Sequence, residues 1–194
     1  MFEHVDDVLD DFSKEVVRLS RRNLNLSGFA KKGRKIDNTK SLSNGLGYKI
    51  KKGNTGTLIE FTSKEDYAAF IDSGVNGTKI KWNAPFGFKG KFANIGAIEK
   101  YVKSPKVKLR KTFINKSGQK VSQMVQKNDK NIKSAAFAMA RSIAANGIKP
   151  TKFFTEAINE AYDNLPPKLE EAFVKDAEDI LFKDFQNNPN LKLK

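Results

Sequence analysis

Gly147-Ile148-Lys149-Pro150-Thr151-Lys152-Phe153-Phe154 ends one helical pattern and opens the next, and Tyr67-Ala68-Ala69-Phe70-Ile71-Asp72-Ser73-Gly74, far upstream, does similar work. Pro150 restricts its own φ and biases Lys149 away from the helical region. Gly74 and Gly147 supply helix ends. Each stretch couples a helix to a loop and sets aromatic side chains beside the constrained backbone. Neither carries a nucleophile, a metal-ligand set or a phosphate loop, so both read as parts that fix geometry. They point to an assembly component, with no bond made or broken.

Working outward, Ile132, Ala136, Met139 and Ile143 repeat at helical spacing before Gly147, with Asp129 placed to cap the start. Ala135, Ala138, Ala140, Ala144 and Ala145 are small enough to admit another helix closely. Downstream, Thr155 is placed to cap a helix over 156–164. Pro166-Pro167 then bends the chain or restarts it as a helix with Leu169, Phe173, Ala177, Ile180 and Leu181 on one side. At the other end Phe2, Val5, Leu9, Phe12, Val16 and Leu19 alternate steps of three and four, one stripe of an amphipathic helix. It runs to about Leu24 and stops before Ser27-Gly28. Glu3, Asp6 and Asp7 near its start and Arg18, Arg21 and Arg22 near its end suit the helix dipole.

Ala30 to Ser43 is polar and basic and reads as a loop. Leu46 to Lys51 alternates through Tyr48 and Ile50, Gly53-Asn54-Thr55-Gly56 supplies a turn, and Leu58, Ile59 and Phe61 resume, which predicts a β-hairpin. Ser63 and Asp66 have capping-box spacing and predict a short helix with Tyr67, Phe70 and Ile71, ending at Gly74. From 75 to 130 only Ile95, Ile98, Tyr101 and Val102 keep a helical period, for one or two turns. The expected fold is one α+β domain over 1–194, with an insertion at about 75–130. It has a long N-terminal helix, a small antiparallel β-sheet with its hairpin, C-terminal helices and an irregular stretch around 80–130.

The 194 residues, 39% hydrophobic, suffice for a core. With no cysteine, disulfides, thiolate catalysis and cysteine-built metal sites are excluded. Apolar runs such as 135–140 fall far short of the roughly 20 residues of a bilayer span, and the acidic first residues are unlike a signal peptide. No membrane contact is expected. The net charge of +14 is uneven: residues 27–152 hold 27 Lys and Arg against 7 Asp and Glu, while the first 26 hold 4 against 6 and the last 42 hold 5 against 9. A basic middle between acidic ends favours nucleic acid or an acidic protein surface, or is simply a solvated face.

Candidates for chemistry are few. His4 is the one histidine, on the first turn of a helix, and reads as a bystander. Asp6, Asp7, Asp10 and Asp11 form the densest carboxylate cluster, at spacings usual for a solvated helix face. No Gly-x-Ser-x-Gly elbow or Gly-x-x-x-x-Gly-Lys-Ser/Thr loop occurs, and Gly87-Phe88-Lys89-Gly90-Lys91 lacks the spacing of a phosphate cradle. No catalytic residue, cofactor or metal is therefore expected. Trp82, Phe86 and Phe88 are interleaved with Lys79, Lys81, Lys89 and Lys91, a run that serves one of three ends. Its aromatics stack bases while lysines hold phosphates, anchor a neighbouring subunit, or fill an ordinary core. Lys31, Lys32, Arg34 and Lys35 form the tightest basic cluster, able to reach a phosphate backbone without reading sequence, or ordinary loop charge.

The order of these pieces resembles the tail-completion or head-tail connector proteins of tailed bacteriophages, the neck family typified by the small minor tail protein of lambdoid phages. Ile36-Asp37-Asn38-Thr39-Lys40-Ser41-Leu42 is similar to the family's loop before the first strand, with Lys40 where glycine is usual. Tyr67, Ala68, Ile71, Asp72 and Gly74 resemble its Tyr-Ala-x-x-(Val/Ile)-(Glu/Asp)-x-Gly element. Lys149-Pro150-Thr151-Lys152-Phe153-Phe154-Thr155 resembles its Arg-Pro-Phe element, with two residues inserted. The likeness covers most of the chain outside about 80–130, where the insertion resembles versions in phages of Bacteroidetes hosts.

The resemblance implies a non-enzymatic α+β virion protein, made in the host cytoplasm and assembled into an oligomeric ring at the neck or tail top. It would meet portal, connector or tail-tube proteins, surround the DNA path and contact duplex DNA non-specifically. Tyr67, Phe70, Phe153 and Phe154 would then anchor the core or the subunit interface. The alternative is a stand-alone, non-specific nucleic-acid-binding protein using the basic central region.

Overall fold

The computed structural model describes residues 2–26, 40–53, 56–90, 92–105 and 107–187. The fold is α+β. In chain order its elements are α1 (Glu3–Leu26), α2 (Ser41–Gly45), β1 (Leu46–Gly53), β2 (Gly56–Ser63), α3 (Ala68–Ser73), β3 (Val75–Asn76), β4 (Phe86–Gly87), α4 (Ile95–Lys103), β5 (Arg110–Ile114), β6 (Lys120–Met124), α5 (Asp129–Asn146), β7 (Gly147–Ile148), α6 (Phe153–Tyr162) and α7 (Leu165–Asn187). They form two compact units: Met1–Asp66 with Lys152–Lys194, and Tyr67–Thr151 between them. The second unit is wider than the 75–130 stretch marked out by composition.

In the first unit the stripe on α1 buries Val16 and Leu19 against Ala157 and Ala161 of α6. The two alanines keep α6 thin where α1 crosses it, and full burial of a Leu or Val side chain contributes about 1.5–3 kcal/mol. Phe12, Phe61 and Phe154 close this core by edge contacts, with centroids 6.5 Å apart for Phe12 and Phe61 and 5.3 Å for Phe61 and Phe154. One aromatic chain thus links α1, β2 and α6. The predicted hairpin forms, with Tyr48 opposite Phe61 and Ile50 opposite Ile59; Asn54 and Thr55 of its turn lie outside the described residues. The Arg21 guanidinium donates to the carbonyls of Ser43 and Leu46, both at 3.0 Å, and so holds α1 to the start of the hairpin. The polar stretch read as a loop over 30–43 ends in α2, where Leu42 is buried. Lys40, just before α2, has φ 58°, the left-handed region that glycine enters freely.

Pro166 and Pro167 fall in the first turn of α7, where a missing N–H removes no helical bond, so the chain restarts there. In the first turn of α1, the His4 and Val5 amides have no partner within the helix. They donate at 3.0 and 2.9 Å to the carboxylate of Asp176 on α7, which is 2% exposed. A negative charge at the positive end of α1 is favourable. Burial raises the Asp176 pKa, but the His4 and Val5 N–H groups, with the His4 side chain and the Glu3 N–H behind them, together outweigh it and hold the carboxyl below its usual value.

Three cap assignments made from the sequence are corrected. The N-cap of α5 is Asn128, whose side chain accepts from Asn131 N at 2.8 Å, and Asp129 is the first helical residue. Ahead of α6 stands Lys152, left-handed with φ 51°, and Glu156 N donates to the Lys152 carbonyl; Thr155 lies inside the helix. Ser63 accepts from Glu65 N in a local turn, and α3 starts only at Ala68. Only at α5 does a neighbouring side chain take the cap; α6 and α3 begin after Lys152 and Tyr67 with no side-chain cap, and composition alone does not rank such neighbours.

In the second unit α4 packs on α5 around Val102, Leu109 and Ile132, with Ile98, Ala135 and Met139 alongside. A three-stranded sheet has the order β4-β3-β7, with β3 parallel to β4 and antiparallel to β7. The stretch around 80–130, expected to be irregular, thus holds α4 and a regular antiparallel hairpin, β5 to β6.

Replacing Asp176 with Asn should lower the thermal midpoint by several degrees near neutral pH, because one charged acceptor for two orphan amides is lost. A carboxyl whose folded pKa is depressed stabilises above its unfolded value and loses that contribution as pH falls through the folded one. The gap between wild type and Asp176→Asn should therefore be full above about pH 5 and close as pH drops below 3.8, the ordinary value for Asp. Melting curves at a series of pH values check this.

Candidate assembly and nucleic-acid surfaces

The two stretches that opened the sequence reading meet in part within the second unit. Val75 lies opposite Ile148 and Asn76 opposite Gly147. Thr151 donates both its N–H (3.1 Å) and its hydroxyl (2.9 Å) to the Ile71 carbonyl, across 80 residues of sequence. The approach is backbone on backbone. A Cβ on Gly77 would lie 2.3 Å from the Ala145 carbonyl oxygen, and one on Gly147 would lie 2.2 Å from that of Val75. Gly147 also has φ 72° and ψ −168°, a region essentially closed to other residues.

This approach also completes the end of α5. A helix leaves its last four carbonyls without intrahelical partners. Here Thr78 N donates to Ala144 O, Lys79 N and Ile80 N to Ala145 O, and the Trp82 indole N–H to Asn146 O at 2.7 Å. Asn76 then folds the loop: its Oδ1 accepts from Trp82 N and Ala84 N, and its Nδ2 donates to Ala84 O. Neither Asn76 nor Gly77 was singled out in the sequence. The available signal was Gly74-Val75-Asn76-Gly77, two glycines bracketing a residue that favours turns.

The aromatic candidates separate. Trp82 is half-buried, with its N–H committed to α5. Phe86 packs edge-on against Phe70 with centroids 4.7 Å apart, although each keeps more than a third of its surface open. Phe88 is half-buried and Tyr67 exposed. In the first unit Phe153 is 2% exposed, and Phe154 is half-buried against Phe61.

Among the basic candidates, Lys79 and Lys89 are exposed, and the exposed Lys81 donates its ammonium to Gly77 O. Lys31, Lys32, Arg34, Lys35 and Lys91 lie outside the described residues. The larger electrostatic fact is the division between units. Tyr67–Thr151 holds 17 Lys and Arg against 3 Asp and Glu, a formal +14 that equals the charge of the whole protein. The rest of the chain is balanced.

Three of the four carboxylates of the acidic cluster on α1 are engaged by lysines and a tyrosine. Asp6 pairs with Lys52, Asp11 with Lys14, and Asp10 with both Lys14 at 2.7 Å and the Tyr48 hydroxyl at 2.7 Å. The Lys14 ammonium, then the Tyr48 hydroxyl, hold the Asp10 carboxyl below its usual value. His4 faces Asp179 at 3.3 Å on the surface. Among the described residues no group of three or more His, Asp or Glu is placed to hold a metal ion, and no helix is long and apolar enough to cross a membrane.

The other exposed feature is the end of α7. From Ala177 to Gln186 every side chain is exposed, including Leu181 at 57% and Phe182 at 68%, with Ile180 and Phe185 beside them. Large apolar side chains exposed together make this end of α7 a candidate docking surface. No protein-family model matches the chain, and neither a curated protein nor a solved structure is significantly similar to it.

Substituting Gly147 with Ala should cost roughly 3 kcal/mol or more, since a forbidden backbone region and a 2.2 Å contact add together. Gly118, in an open turn with φ 74°, should lose no more than about 1–2 kcal/mol on the same change, because only the backbone term acts. Urea unfolding of the two variants checks the difference.

Proposed function

We propose that the chain is a structural subunit of a tailed-phage neck or tail top. Several copies close into a ring that joins head connector to tail and surrounds the DNA path. Its action is binding by shape and charge, without catalysis. The observation that carries this reading is the exposed apolar end of α7, which gives a subunit the surface it needs for a neighbour. Ring closure requires a second, complementary face on each copy.

Two further features support the neck family in particular. The segments that resemble its Tyr-Ala and Arg-Pro-Phe elements are distant in sequence yet bonded through Ile71 and Thr151. Lys40, where that family usually has glycine, takes up glycine's left-handed backbone. The concentration of +14 in one unit favours a second reading, a stand-alone nucleic-acid-binding protein.

Oligomeric mass separates the two. By light scattering and negative-stain microscopy, the ring reading expects a discrete multimer that Leu181→Asp with Phe182→Asp reduces to monomer. The thermal midpoint of the subunit should stay nearly unchanged, because surface substitutions usually act within about 0.5 kcal/mol. A wild-type monomer that neither assembles nor binds portal or tail-tube proteins would overturn the ring.

A further inference from the structure

We propose that the β5–β6 hairpin is a basic ribbon that seats on the backbone of duplex DNA. This rests on the ring reading for its setting, since a ring around a DNA path needs groups that touch the duplex without reading it. Between Glu99 and Asp129 the chain holds nine Lys and Arg and no acidic residue. The hairpin lies in the middle of that run. All five residues of β5 are exposed, and Val121 is the one residue of β6 that is half-buried.

A two-stranded hairpin is marginal by itself. This one is stiffened at both ends. At its tip the Asn115 side chain accepts from Ser117 N at 3.1 Å and Gln119 N at 2.8 Å, and Gly118 takes the left-handed turn position with φ 74°. At its base Val125 N donates to the carbonyl of Leu109, which is buried in the α4–α5 core.

Register decides what the ribbon presents. Arg110 lies opposite Met124, Thr112 opposite Ser122 and Ile114 opposite Lys120, so one face carries a cation near each end with two hydroxyls between. Lys111 lies on the other face and Lys116 in the turn. A two-stranded ribbon is of a width that the major groove of duplex DNA accepts, and Lys, Arg, Ser and Thr are the usual donors to phosphate. Phe113 is the only aromatic on the ribbon, too few for the stacking platform that single strands require. Lysines also keep exposed strand edges from pairing with other chains, but one or two suffice for that. Four cations on the hairpin and its turn (Arg110, Lys111, Lys116 and Lys120), with no acidic residue among its strands or turn, exceed the need.

The test uses the full chain, a random-sequence duplex of about 30 base pairs and the matching single strand. Affinity is measured at several salt concentrations, with oligomeric mass determined on the same samples. Arg110, Lys111, Lys116 and Lys120 are changed together to Gln. A charge-matched control changes Lys100, Lys130, Lys133 and Arg141 to Gln. Each phosphate contact contributes close to 0.9 to the slope of log affinity against log salt, so the hairpin variant should lose roughly 3 units of slope on duplex and the control much less. Lys→Arg with Arg→Lys at the four hairpin positions should keep the slope, and an unchanged melting curve certifies the fold.

Equal losses in both variants would overturn the proposal, as would no loss in the hairpin variant. So would loss of the oligomer while duplex binding persists, which would assign the hairpin to a protein neighbour. A monomer that loses duplex binding through the hairpin variant supports the ribbon and ends the ring reading. A ring whose duplex affinity ignores the hairpin does the reverse.

Discussion

Backbone meets backbone, with no side chain between, where residues 74–77 lie against 145–148, and the second unit depends on that approach. It pairs β3 with β7, brings amides and an indole N–H to the open carbonyls of α5, and lets Asn76 gather the loop that follows. Unsatisfied buried carbonyls cost on the order of 1–3 kcal/mol each. Three are answered here by one loop. Remove the closeness and these bonds go together, because they share one geometry. The first unit is built differently, on a long amphipathic helix clasped by alanine-faced α6, a chain of phenylalanines and a buried carboxylate across its N-terminal amides.

Charge follows the same division. One unit is balanced, with Asp6 and Asp10 of α1 tied to Lys52, Lys14 and Tyr48. The other carries the entire excess. Screening at physiological salt limits any one exposed lysine to about 8 Å, so what matters is density on one body and not the total for the chain. The exposed apolar end of α7 thus belongs to the balanced unit, and the basic excess to the other.

Elements with a single buried face were legible in the sequence, because burial leaves a period. The stripe of α1, the hairpin of β1 and β2 and the first half of the α5 face, Ile132 and Ala136, appear where expected, while further along α5 burial falls on Ala140 and Ala144 and leaves Met139 and Ile143 half-buried. The β5–β6 hairpin was not legible for the converse reason. Arg110-Lys111-Thr112-Phe113-Ile114 is exposed on both faces, so no alternation between apolar and polar was imposed on it. Caps were missed by one to four residues, since neighbours such as Asn128 and Asp129 offer similar acceptors and only the local backbone chooses. Of the candidate site, the aromatics were found but their duties were not. Whether Trp82 stacks a base or binds a carbonyl depends on where α5 ends in space, and that is set by a glycine contact between residues far apart in sequence.

The insertion of one unit within the other has a consequence for synthesis. A ribosome emits residues at roughly 5–20 per second, and a body folds when all its pieces have emerged. Every piece of the Tyr67–Thr151 unit is contiguous, so it can mature while translation continues. Helix α1, by contrast, waits for α6 to cover Val16 and Leu19. Until then a long amphipathic helix stands with its greasy side uncovered, and the nascent chain is most in need of a chaperone in that interval.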